Sequence, residues 1–129
     1  LGMALKAGSA PAAEVHAAFA QAADLAQRYV HEQSQDARAT AALGHYRAEL
    51  GEAGQARDLL LRAETLGTQA GEVALLNAET LATLGDLAGA RKRLARARKE
   101  GIPDIAITSN ADFRRLGLLE PSTTAPLSE

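Results

Sequence analysis

The sequence contains no cysteine and no tryptophan, and aromatic residues make up only 3% of its 129 positions. Without cysteine there is no disulfide and no thiolate metal site. That absence does not fix a compartment, because proteins on either side of a membrane can dispense with cysteine. No apolar run approaches the roughly 20 residues that a helical membrane span needs. The formal charge of −2 is too near zero to steer the chain onto nucleic acid or anionic lipid. Nucleophile motifs, phosphate-binding loops and paired carboxylates on a recognisable frame are missing, so neither catalysis nor a bound cofactor is expected. The opening Leu1-Gly2-Met3 has no basic or signal-like stretch and reads as the start of a fragment, whose upstream part could have carried a signal.

Alanine, by contrast, is abundant. It has the highest intrinsic helix propensity, and its small side chain lets helices approach closely. A core of alanine and leucine suits stacked helices better than a sheet, and β-branched residues are sparse. At this length the chain is one domain or a short repeat array, long enough to bury a core without covalent staples.

An internal repeat decides between these. Leu50, Gly51, Ala56, Leu60 and Ala63 recur as Leu84, Gly85, Ala90, Leu94 and Ala97, every pair separated by the same period. Glycine and leucine match as well as alanine, so alanine richness alone does not produce the pattern. Ala53, Ala56, Leu60 and Ala63 step by three, four and three, which is one face of a helix, and Leu87, Ala90, Leu94 and Ala97 repeat it. Of these, Ala56, Leu60, Ala63, Ala90, Leu94 and Ala97 are expected to be buried between helices. Gly51 and Gly85 follow leucine-ended helices, where a left-handed cap favours glycine, and Asp86 stands at an N-cap position. The spacing predicts helices at about 36–50, 53–66, 70–84 and 87–100.

Ahead of these, Pro11 opens a helix that runs to about Glu32, with Val15, Phe19, Ala22, Ala26 and Tyr29 as its apolar stripe. It is about two turns longer than the others. Leu1–Ala7 reads as the end of a preceding helix closed by Gly8. After Gly101, Pro103 starts a short helix over 103–108. Ser109 and Asp112 are spaced as a capping pair for a last turn carrying Phe113, Leu116 and Leu119. The Pro/Ser/Thr-rich residues 121–129 are expected to be a mobile tail unless docked, the groove described below being one dock.

The period, the Leu43-Gly44 pair, the turn Gly51 seven residues later, and Ala56 and Ala63 after it together resemble the tetratricopeptide repeat family. The second unit keeps Gly85, Ala90 and Ala97 but has Asn77-Ala78 for the Leu-Gly pair. The resemblance implies an all-α fold of stacked antiparallel helix hairpins with a right-handed superhelical sense. Its units would span about 1–34, 35–68 and 69–102, with a cap at 103–120. One hairpin cannot bury its apolar face alone, which is why such units come in stacks.

The resemblance also implies a function, the binding of a partner's peptide or helix in a groove lined by the first helix of each unit. Carried over, the groove comprises Arg38, Ala41, Ala42, His45, Ala48 and Glu49, then Glu72, Leu75, Leu76, Glu79 and Thr83, with Met3 and Lys6 in the first unit. Of these, Arg38, His45, Glu49, Glu72, Leu76 and Glu79 are the candidate contacts. The lysines and asparagines that clamp a C-terminal carboxylate in one branch of the family are missing, so chaperone-tail binding is not expected. The expected role is an interaction module or scaffold of a larger bacterial protein, in an envelope secretion or export assembly. Alternatives are a cytoplasmic regulatory domain, or a site for nucleic acid or an acidic partner on the basic run Arg91, Lys92, Arg93, Arg96, Arg98 and Lys99. The missing aromatics argue against nucleic acid, and a solvated helix face is the plainer account of that run. His45 and Glu49, one turn apart, could share a metal but have no third ligand nearby in sequence. Asn77, where the repeat wants leucine, must find hydrogen bonds if buried, or the unit must rotate locally.

Overall fold

Several helices start at a side chain that caps their first backbone donors or stop at a glycine with positive φ. The structure is a computed structural model and describes residues 11–119. It contains α1 (Ala12–Glu32), α2 (Ala37–Glu49), α3 (Ala53–Leu66), α4 (Ala70–Thr83), α5 (Leu87–Lys99), α6 (Asp104–Thr108) and α7 (Ala111–Arg115). The side chains of Asp36 and Asp86 accept from the backbone N–H groups of Ala39 and Gly89 at 3.0 and 2.9 Å, satisfying donors that have no partner within the helix. Asp86→Ala should cost about 1 kcal/mol. The expected drop in thermal midpoint is about 3–5 °C, readable by circular dichroism.

The repeat is visible in the caps. Gly51 and Gly85 adopt φ of +82° and +87°, a conformation that a Cβ disfavours. The residue after each closes the same bond, Glu52 N–H to Arg47 C=O at 2.9 Å and Asp86 N–H to Leu81 C=O at 2.8 Å. Gly67 and Gly101, also one period apart, end α3 and α5 with positive φ.

The architecture is all-α, with antiparallel hairpins α2/α3 and α4/α5 stacked side by side, α1 ahead of them and α6–α7 as a helical cap. Among the described residues there is no strand, and no helix is long and apolar enough to cross a membrane. The six matched positions Ala56, Leu60, Ala63, Ala90, Leu94 and Ala97 are all buried. Gly44 lets α2 approach α3 closely, since a Cβ there would lie 3.3 Å from both the Ala56 carbonyl oxygen and the Leu59 Cβ. The core runs as three clusters along the stack. Ala23, Val30 and Leu43 join α1 to α2, Ala37, Ala41, Ala63 and Val73 join α2, α3 and α4, and the largest unites α4, α5 and the cap around Leu81, Leu94, Ile107 and Phe113. The first helices α2 and α4 pack on each other, whereas α3 and α5 stand apart with a groove of about 330 Å³ between them. The stack is therefore tighter on its α2/α4 side.

Two readings of the sequence need correction. The buried side of α1 is Phe19, Ala23, Ala26 and Val30, one position round from the expected stripe, and Val15 and Tyr29 are 40% and 52% exposed. Alanines make both sides of α1 apolar, and the one carrying Val30 fits Leu43. The last cap is Asn110, not Ser109, and its side chain accepts from Phe113 N–H at 2.9 Å. Of the two expectations for Asn77, hydrogen bonding to a neighbouring backbone is the one observed; α4 runs through it unbroken, although its Oδ1 has no partner among the described residues. Asn77 is fully buried, and its amide donates to the Leu60 carbonyl at 3.3 Å and to Glu64 Oε2 at 3.1 Å. The helix expected over Leu1–Ala7, the groove positions Met3 and Lys6, and the tail 121–129 lie outside the described residues.

Candidate partner-binding face

Steps of four, three and four along α2 place Arg38, Ala42, His45 and Glu49 on one helix face. The same steps along α4 align Glu72, Leu76, Glu79 and Thr83, each one period on from its counterpart. The stacking brings counterparts together. The Thr83 hydroxyl donates to Glu49 Oε2 at 3.1 Å, and that oxygen also lies 3.1 Å from His45 Nε2. From the cap, the Asn110 amide donates to Glu79 Oε2 at 2.8 Å. The ring of Phe19 on α1 meets the His45 ring edge-on, with centroids 6.4 Å apart, and Tyr46 lies beside both.

The structure thus unites His45, Glu49 and Glu79 and adds Thr83 and Asn110. Arg38 and Glu72 are exposed at the far ends of their stripes. Leu76 is half-buried against the cluster of Ala37, Ala41, Ala63 and Val73, so it is more floor than contact. Ala41 and Ala48 do not line the groove. Both are buried, a quarter turn or so round the helix from the open stripe, against neighbouring helices. Alanine carries no polarity to distinguish these faces in sequence. Asn110 has no counterpart one period earlier that would mark it, because the cap departs from the repeat.

Electrostatics here are those of an acidic patch around one imidazole. Burial opposes protonation of His45, but the hydrogen bond to Glu49 and the charges of Glu79, Glu49 and Asp112 outweigh it, lifting its pKa above the ordinary 6.5. Glu79 is raised above 4.5, chiefly by burial and further by Asp112 and Glu49, against the pull of His45 and Asn110. Glu49 is lowered, first by its hydrogen bond to His45 and then by Thr83, against burial.

The raised groups, His45 and Glu79, hold their protons more tightly in the folded state. Their stabilisation is complete below the unfolded pKa values and is lost as pH rises through the folded ones. The lowered Glu49 stabilises above 4.5 and loses this as pH falls through its folded value. The thermal midpoint should therefore fall from pH 6 to pH 8, and His45→Gln should flatten that slope. Calorimetric melts of both proteins across this range make the comparison. An equal slope in the variant would show that His45 is not its source.

Among the described residues, no group of three or more His, Asp or Glu is placed to hold a metal ion. The basic run decorates the side of α5 away from its buried Ala90, Leu94 and Ala97. Three of its six residues are already paired. Arg93 grips Glu64 through two bonds of 2.9 and 3.1 Å, Arg96 pairs with Glu100 and Arg98 with Asp104. The Glu64 carboxylate raises the pKa of Arg93, and because it also accepts from Asn77 it ties α3, α4 and α5 together. Arg91, Lys92 and Lys99 are exposed. Lys92, Arg93 and Arg96 border the 330 Å³ groove between α3 and α5.

Compared with known proteins, the chain matches no protein-family model, no curated protein and no solved structure.

Proposed function

We propose that the chain is a non-catalytic protein-interaction module of the tetratricopeptide type, binding a basic segment of a partner on the face formed by α2, α4 and α7. The support for the family is the constant period of the repeat and its recurrence in the glycine caps and in the Thr83–Glu49 hydrogen bond. The reading rests on one observation above the rest, the hydrogen-bonded row that sets Glu49 between His45 and Thr83 and Glu79 against Asn110, beside the rings of Phe19 and Tyr46. Glu49 and Glu79 are half-buried, and burial raises the pKa of Glu79 above its ordinary value. A lysine or arginine from a partner would form a charge-assisted hydrogen bond with Glu79, and its positive charge would lower the pKa of that carboxyl again. Phe19 and Tyr46 would pack against the stem of that side chain.

Titration calorimetry of the full chain tests this, with Lys/Arg-rich peptides set against charge-reversed controls. Basic peptides should bind, and the charge-reversed controls should not. Glu79→Gln should weaken them about tenfold, the loss of one charge-assisted bond. Equal affinity for basic and acidic peptides, or no effect of Glu79→Gln, would overturn the reading.

A further inference from the structure

Five large apolar side chains stand exposed on the described residues, and three of them, Val15, Leu25 and Tyr29, are on α1. With Ala18 and Ala22 they form a row at steps of three, four, three and four, the spacing of a coiled-coil seam. The row lies beside the face that α1 buries on α2, and no other described helix packs on α1 to a comparable extent. A groove lined by Ala26, Tyr29, Ala39, Ala42 and Tyr46 opens next to it. A seam of this spacing fits another helix.

From the charge pattern we infer that this helix is α1 of a second copy, running antiparallel. Set about a two-fold axis near residue 20, Ala18 of each copy meets Ala22 of the other, which permits close approach. Val15 meets Leu25 on either side, and Tyr29 reaches over Pro11. The solvent flank of the seam carries Glu14, Gln21 and Arg28. In this register Glu14 of each copy falls beside Arg28 of the other, twice by symmetry, and Gln21 faces Gln21. Residue i contacts j while j contacts i, as a two-fold interface demands. A parallel pairing sets Glu14 and Arg28 beside no opposite charge. The seam spans about 20 Å of helix, so the dimer is weak and forms with rising concentration.

Sedimentation velocity from low to several hundred micromolar tests this, with circular dichroism to check that each variant folds. The wild type should shift from monomer to dimer, and Leu25→Glu should stay monomeric with unchanged helicity. Glu14→Arg and Arg28→Glu should each weaken self-association about tenfold, because like charges then meet twice. Mixed in equal amounts, those two variants should regain the wild-type level as mixed dimers. A mixture that associates no better than either variant overturns the antiparallel register. A wild type that is monomeric throughout overturns the dimer and leaves the seam to residues 1–10 of the same chain or to a foreign helix.

Discussion

Ala90→Arg is expected to destabilise the protein by at least about 4 kcal/mol and to lower its thermal midpoint by roughly 15 °C or more. Ala90 is fully buried and packs with Leu60, Ala78, Leu81 and Leu94 between α3, α4 and α5. An arginine there has no room for its stem and no carboxylate for its charge. The same replacement at Ala95, five residues along α5 and exposed, should shift stability by no more than about 0.5 kcal/mol. Melting curves of the two variants compare burial at constant chemistry. Equal midpoints would mean that the register read from the repeat is wrong.

That register is legible because each repeated position serves the same physical need twice. A glycine is needed where the chain turns through positive φ, and an alanine where two helices nearly touch. The stripe 38, 42, 45 and 49 and its image on α4 follow from the same period. Sequence reasoning fails where chemistry is degenerate or where the repeat stops. It assigns Ala41 and Ala48 to the open face because alanine is equally at home inside and outside a helix bundle. On α1 an apolar arc wide enough for two stripes hides which is buried, and thereby hides the exposed row of Val15, Leu25 and Tyr29. Asn77 is recognisable as anomalous, but its partners, Leu60 and Glu64, sit 17 and 13 residues earlier. Only the stacking of α4 on α3 brings them close. Asn110 and Asp112 join the acidic face from the cap, which has no second copy in the chain to compare with.

The cap also links stability to the candidate site. Phe113 is fully buried among Leu81, Leu94, Ile107 and Leu118, and its own N–H is held by Asn110, whose amide reaches Glu79. Phe113→Ala removes the largest of the fully buried side chains and should cost about 3–5 kcal/mol. In a stack where neighbours mainly support neighbours, that loss concentrates at the end where it is made. Amides of α6 and α7 should lose exchange protection first and those of α2 and α3 last. The face on α2 and α4 should feel the change through charge rather than contact. With the cap loosened, Asp112 no longer helps to hold the proton on His45, so the His45 pKa should move down towards 6.5. Glu79, more exposed to water, should move down towards 4.5. NMR titration of the imidazole reads the first shift directly. If the cap amides exchange freely while His45 titrates as in the wild type, Asp112 is no part of the acidic face, and α2 and α4 alone set its charge.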